Sequence, residues 1–67
     1  MTLNEWKRLE NIPSLMELAR RLGVEDRINP AKLVHNWINN KSIPSQKNMK
    51  KIVKATEGKV LPNDFYS

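Results

Sequence analysis

The stretch Leu18-Ala19-Arg20-Arg21-Leu22-Gly23-Val24, followed later by Val34-His35-Asn36-Trp37, decides how this chain folds. Leu15, Leu18, Ala19 and Leu22 recur at the three- and four-residue spacing of one helix face. Gly23 suits the left-handed geometry that closes a helix. Ala19 is small enough to let a second helix approach. Val24 and Val34 are placed to seal the corner, and Trp37, one turn beyond Val34, stays on the same face. Two helices that cross steeply with little space between them need these residue types in this order.

Working outward, Ser14 and Glu17 have capping-box spacing, so the first helix of the pair is expected over residues 14–22. Arg20 and Arg21 suit the negative end of its dipole. The partner helix is expected over 30–40, with Asn29 as its N-cap and Pro30 at its first position. Its apolar stripe is Leu33, Val34, Trp37 and Ile38. Residues 24–29 form the connection, with Val24 and Ile28 turned inward. Before the pair, a helix over 3–10 is expected, capped by Thr2 and striped with Leu3, Trp6 and Leu9; Pro13 ends that segment. After it, Ile43-Pro44 is a break, and a helix over 45–57 follows, closed by Gly58, with Met49, Ile52, Val53 and Thr56 inward. The tail, 60–67, offers Val60, Leu61, Phe65 and Tyr66, and Pro62-Asn63-Asp64 is set to begin a short helical turn. The expected architecture is a single all-α domain over 1–67, of four to five short helices.

Charge is distributed unevenly. Residues 1–28 carry five basic and five acidic side chains. Residues 29–59 carry seven lysines, Lys32, Lys41, Lys47, Lys50, Lys51, Lys54 and Lys59, against Glu57 alone, and the tail adds Asp64, giving the net charge of +5. A positive field confined to one half points to a polyanionic partner. The chain has no cysteine and one histidine, so neither disulfides nor a zinc ligand set is expected. No apolar run is long enough to span a bilayer. Met1-Thr2-Leu3-Asn4-Glu5 lacks the blocks of a signal peptide, and the expected location is cytoplasmic. No phosphate-cradling glycine loop, activated nucleophile or paired carboxylate cleft is present, so no enzymatic activity, cofactor or small-molecule ligand is expected.

These residues resemble the Cro/repressor family of phage and bacterial regulators, over roughly residues 12–61. Ile43-Pro44-Ser45 and Ile52-Val53-Lys54-Ala55-Thr56-Glu57-Gly58-Lys59-Val60 also look like small Cro-like and YdaS-type proteins. The resemblance implies a lambda-repressor-like helix-turn-helix and an operator-binding repressor, usually a dimer on double-stranded DNA. This sequence departs from the pattern in the turn. The glycine of the common motif precedes the buried valine or isoleucine by about six residues, whereas Gly23 and Val34 are eleven apart. Glu25-Asp26-Arg27-Ile28-Asn29 is the added material. A register burying Ile28 instead would place Pro30 inside the helix.

A recognition helix enters the major groove N-terminus first. With Val34 and Trp37 facing the core, the opposite face carries Ala31, Lys32, His35, Asn36 and Asn39, the candidate base contacts. Asn36 suits a bidentate bond to adenine, Lys32 a donor contact to guanine, and Ala31 a thymine methyl. His35 suits a base or a phosphate. Flanking phosphate contacts are expected from Asn40, Lys41 and Ser42 at the exit of this helix, from Ser45, Lys47 and Asn48 at the start of the next, and from Ser14. Trp6 and Trp37 fit the core better than a base-stacking platform, which disfavours an RNA binder. The rival reading is a protein-interaction module of antitoxin or anti-regulator type on the same fold. One short helix reads few bases, so a homodimer is expected, with the final segment as its contact.

Overall fold

A computed structural model describes residues 1–66; Ser67, the last residue of the expected tail, lies outside the described residues. The elements are α1 (Leu3–Leu9), α2 (Leu15–Leu22), α3 (Pro30–Ile38), α4 (Gln46–Ala55) and a 3-10 turn, Pro62–Phe65. The described residues contain no strand.

Each α-helix begins as local chemistry dictates. Thr2 Oγ1 accepts from the Glu5 N–H (3.1 Å), and Glu5 Oε1 accepts from the Thr2 N–H (2.8 Å), a reciprocal box that satisfies two otherwise orphan donors. The same bond from the Thr2 backbone holds the Glu5 carboxyl below its ordinary pKa. Ser14 and Ser45 cap α2 and α4 through their hydroxyls. The Ser14 box is one-sided, because the Glu17 carboxylate turns forward to Arg20. Pro30 stands at the start of α3 as expected, but Asn29 does not cap it with its side chain. Asn29 has φ +50, and only its carbonyl joins the helix, accepting from the Leu33 N–H (3.0 Å).

The helices also end by one shared device. After α2, Gly23 has φ +78, its N–H donates to the Arg20 carbonyl, and the Val24 N–H donates to the Ala19 carbonyl. This is the Schellman arrangement. The same pair of bonds follows α1, α3 and α4, with Asn11, Asn40 and Glu57 in the left-handed position at φ +54, +58 and +55. These residues explain why the helices stop short of the expected limits, α1 at Leu9, α3 at Ile38 and α4 at Ala55. Gly58 completes the closure of α4 after Glu57 has turned the chain: its N–H donates to the Val53 carbonyl (2.9 Å), and its φ is +79.

The core is one cluster: Leu3, Trp6, Ile12, Leu18, Ala19, Leu22, Val24, Val34, Trp37, Met49, Ile52, Val60 and Phe65. Most of the expected inward residues are there, and α2 packs most extensively on α3. Two expectations fail. Leu9 is half exposed (52 %) at the end of α1, and Ile28 is 92 % exposed. Ile28 faces out where the chain rises through left-handed Asn29 directly after it, so Val24 is the one buried residue of the connection and seals the corner with Val34. Thr56 is buried and bridges α4 to the tail: its Oγ1–H donates to the Ile52 carbonyl (2.8 Å), and its Oγ1 accepts from the Val60 N–H (3.2 Å). The tail then folds back onto the chain start. Leu61 N–H donates to Asp64 Oδ2 (2.8 Å), and the Met1 ammonium donates to the Lys59 carbonyl (2.9 Å) and faces Asp64.

Candidate nucleic-acid interface

At 100° per residue, the buried pair Val34 and Trp37 fixes which side of α3 faces out. Lys32 and Asn39 lie at the centre of the opposite face, His35 and Asn36 to either side, and Ala31 at its edge. Burial agrees: Lys32, His35 and Asn39 are exposed, whereas Ala31 and Asn36 are half-buried. All five expected base contacts thus occur on or beside one solvent-facing strip, four of them within α3 and Asn39 just past its last turn.

Asn39 is more constrained than its exposure suggests. Its side-chain Nδ2 donates to the His35 carbonyl (2.9 Å) and lies 3.1 Å from His35 Nε2. A carbonyl only accepts, which fixes the amide orientation. Asn39 therefore turns its Oδ1 to a partner. The sequence shows the four-residue spacing of the pair but not this locking.

The expected phosphate contacts divide between two places. Asn40, Lys41, Ser42, Ser45, Lys47 and Asn48 occupy one continuous run from the end of α3 into the first turn of α4; five are exposed and Asn48 is half-buried. Left-handed Asn40 turns this run, and the Lys41 N–H closes it on the Asn36 carbonyl (2.9 Å). Asn48 Oδ1 is shielded and has no hydrogen-bond partner. Ser14 stands on a separate element. Its hydroxyl accepts from Glu17 N–H, leaving the hydroxyl proton to donate outward. The first backbone N–H groups of α2 and α4 also lack intrahelical acceptors.

The electrostatics sharpen the asymmetry of the sequence. Arg20 pairs with Glu17 and Glu25, and Arg21 with Glu10. Arg21 also lies over the Trp6 ring, 5.5 Å from its centroid. Among the described residues no lysine forms an ion pair. Two lysines are nevertheless committed to the fold: Lys7 Nζ donates to the Ile12 carbonyl (3.0 Å), and Lys51 Nζ donates to the Gly23 carbonyl (3.1 Å), tying α4 to the end of α2. Lys32, Lys41, Lys47, Lys50, Lys54 and Lys59 supply the surplus field. Two further polar side chains lie beside the expected set. Gln46 is exposed at the first position of α4, and Arg27 is a half-buried cation in the connection before α3. Arg27 forms no ion pair among the described residues, and its Nε is shielded and unpartnered. Its signal was its place as the lone cation of the added segment.

The expected contact between copies, Val60–Tyr66, is largely used up inside the chain. Val60 and Phe65 are buried in the core, leaving Leu61 (47 % exposed) and Tyr66 (66 %) as its outward apolar groups. Among the described residues no group of three or more His, Cys, Asp or Glu is placed to hold a metal ion, and no helix is long and apolar enough to cross a membrane. No family model, curated protein or solved structure matches the chain.

Proposed function

We propose that this chain is a sequence-specific regulator that binds double-stranded DNA. In this reading α2 and α3 act as a Cro-like helix-turn-helix with a lengthened turn, and α3 lies in the major groove. One observation carries it. The outward strip of α3 presents short, differently functional polar groups, and it runs directly into a segment of exposed amides, hydroxyls and lysines with no acidic neutralisation. Lysine on its own would support any polyanion. The combination with a rigid, polar helix face is what sequence readout in the major groove requires.

The roles follow from the atoms on offer. Lys32, central on the strip, donates to guanine O6 or N7. Asn36 bonds the adenine edge through its amide, and Ala31 faces a thymine methyl. Asn39, limited to an acceptor, selects bases that offer a donor, adenine N6 or cytosine N4. His35 contacts a base or a phosphate. Asn40, Lys41, Ser42, Ser45, Lys47, Asn48 and Ser14 set the register on the backbone. Two copies on adjacent half-sites give a site long enough to be specific, with Leu61 and Tyr66 as the remaining contact from the tail. No catalytic step, cofactor or metal enters this function.

Salt dependence of duplex binding tests the reading. Each phosphate neutralised contributes a slope near −0.9 in log K against log salt. Lys41→Gln with Lys47→Gln removes two expected contacts, so the slope should become shallower by about 1.8. An unchanged slope would remove those lysines from the interface. Binding that is insensitive to salt would remove DNA as the partner.

A further inference from the structure

We infer that the groove between α4 and the final 3-10 turn docks an acidic protein segment anchored by apolar side chains. The groove has a volume of about 360 Å³ and is lined by Gln46, Met49, Lys50, Val53, Lys54 and Pro62. Met49 and Val53, one helical turn apart, form an apolar floor with Pro62. Lys50 and Lys54, also one turn apart, stand exposed on its rim. No carboxylate lines it, and neither lysine has an ion-pair partner among the described residues.

Charge and polarity together select the occupant. A duplex would meet the lysines but has no apolar surface to cover Met49 and Val53. A second copy packed symmetrically through the same groove would cover the floor but would set its own Lys50 and Lys54 against this lysine rim. An amphipathic acidic helix satisfies both needs. Its apolar side chains at four-residue spacing lie in the floor, and carboxylates at the same spacing reach Lys50 and Lys54, which as an i, i+4 pair have Cβ atoms roughly 5–6 Å apart. Such charges chiefly steer encounter and exclude wrong partners, while the apolar anchors hold the complex. The groove belongs to α4 and the tail, not to the outward strip of α3, so this inference does not rest on the DNA reading.

Photo-crosslinking of the full chain in the cells that express it tests this. A benzoylphenylalanine is placed at Val53 in one variant and at Lys54 in another, both positions outside the fully buried core. The crosslinked peptide is then sequenced by mass spectrometry. The expected product joins either position to a protein segment rich in Asp and Glu. Its yield at position 53 should fall about tenfold when Lys50→Glu and Lys54→Glu are added. Crosslinks to a second copy, to nucleic acid or to a segment without clustered acids would overturn the inference. So would the absence of a crosslink at both positions, or a yield that ignores the charge reversal.

Discussion

Replacing Thr56 by valine isolates one buried polar junction and puts a magnitude on it. Thr56 is 1 % exposed, and its hydroxyl both donates to the Ile52 carbonyl and accepts from the buried Val60 N–H. Valine fills nearly the same space, so no cavity opens. The Val60 N–H is left without its partner, which costs about 1–3 kcal/mol for a buried donor. Thr56→Ser is the control: it keeps both bonds and removes one methyl, worth about 0.8 kcal/mol. Against a total stability of roughly 3–10 kcal/mol for a chain of this size, the valine variant loses a large share. A loss of about 2 kcal/mol corresponds to a fall in Tm of about 8–16 °C. Urea unfolding followed by fluorescence of the buried Trp6 and Trp37 reads the change as a lower midpoint at constant slope. The reasoning is refuted if Thr56→Val unfolds within about 0.5 kcal/mol of the parent, well below the 1–3 kcal/mol expected for an orphaned donor. It is refuted equally if the serine variant is the less stable of the two.

The helix ends make a paired prediction for thermal melts. A Cβ at Gly23 meets nothing within 4 Å, so Gly23→Ala should cost only the left-handed strain, about 1–2 kcal/mol. Glu57→Gly relieves the same strain but adds freedom to the unfolded chain worth about 0.5–1 kcal/mol, and should leave stability equal or slightly higher; a clear loss would contradict the assignment of Glu57 as the turning residue. Acid titration gives a further check. The Thr2 backbone lowers Glu5, and the Leu61 backbone lowers Asp64. Their contribution is complete above the ordinary carboxylate range and disappears as pH falls through the lowered values. Glu5→Gln with Asp64→Asn should therefore flatten the low-pH limb of a stability profile and leave its shape near neutrality unchanged.

Much of this architecture was legible in the residues themselves. Leu18, Ala19, Leu22, Val34 and Trp37 sit in the core because side-chain periodicity binds them to one face of each helix, and Val24 joins them just past the turn at Gly23. The serine and threonine caps follow from local bonding within four residues. The helix ends were less legible, since glycine and proline are the plain signals while Asn11 and Glu57 also turn the chain. Asparagine tolerates the left-handed region and announces itself weakly; Glu57 gives no local signal. Ile28 was misjudged because a single left-handed residue, Asn29, redirects the chain beyond the reach of a periodicity argument. On the outward strip, helical geometry alone places Lys32, His35, Asn36 and Asn39 together. The commitment of the Asn39 amide to His35, and of Lys51 to the Gly23 carbonyl, depends on where long or rotatable side chains find acceptors in three dimensions. Spacing does not encode that choice, and it is what leaves Asn39 its Oδ1 as the outward group and removes Lys51 from the free field.

Selection of bound duplexes from a random pool, run in parallel with the intact chain and with Asn36→Ala, probes the DNA reading at its root. The intact chain should enrich a short, partly symmetric motif at moderate salt, and the variant should enrich the same motif with one position relaxed. A pool that yields no motif, or one that the variant leaves untouched at every position, would contradict the placement of α3 in the groove.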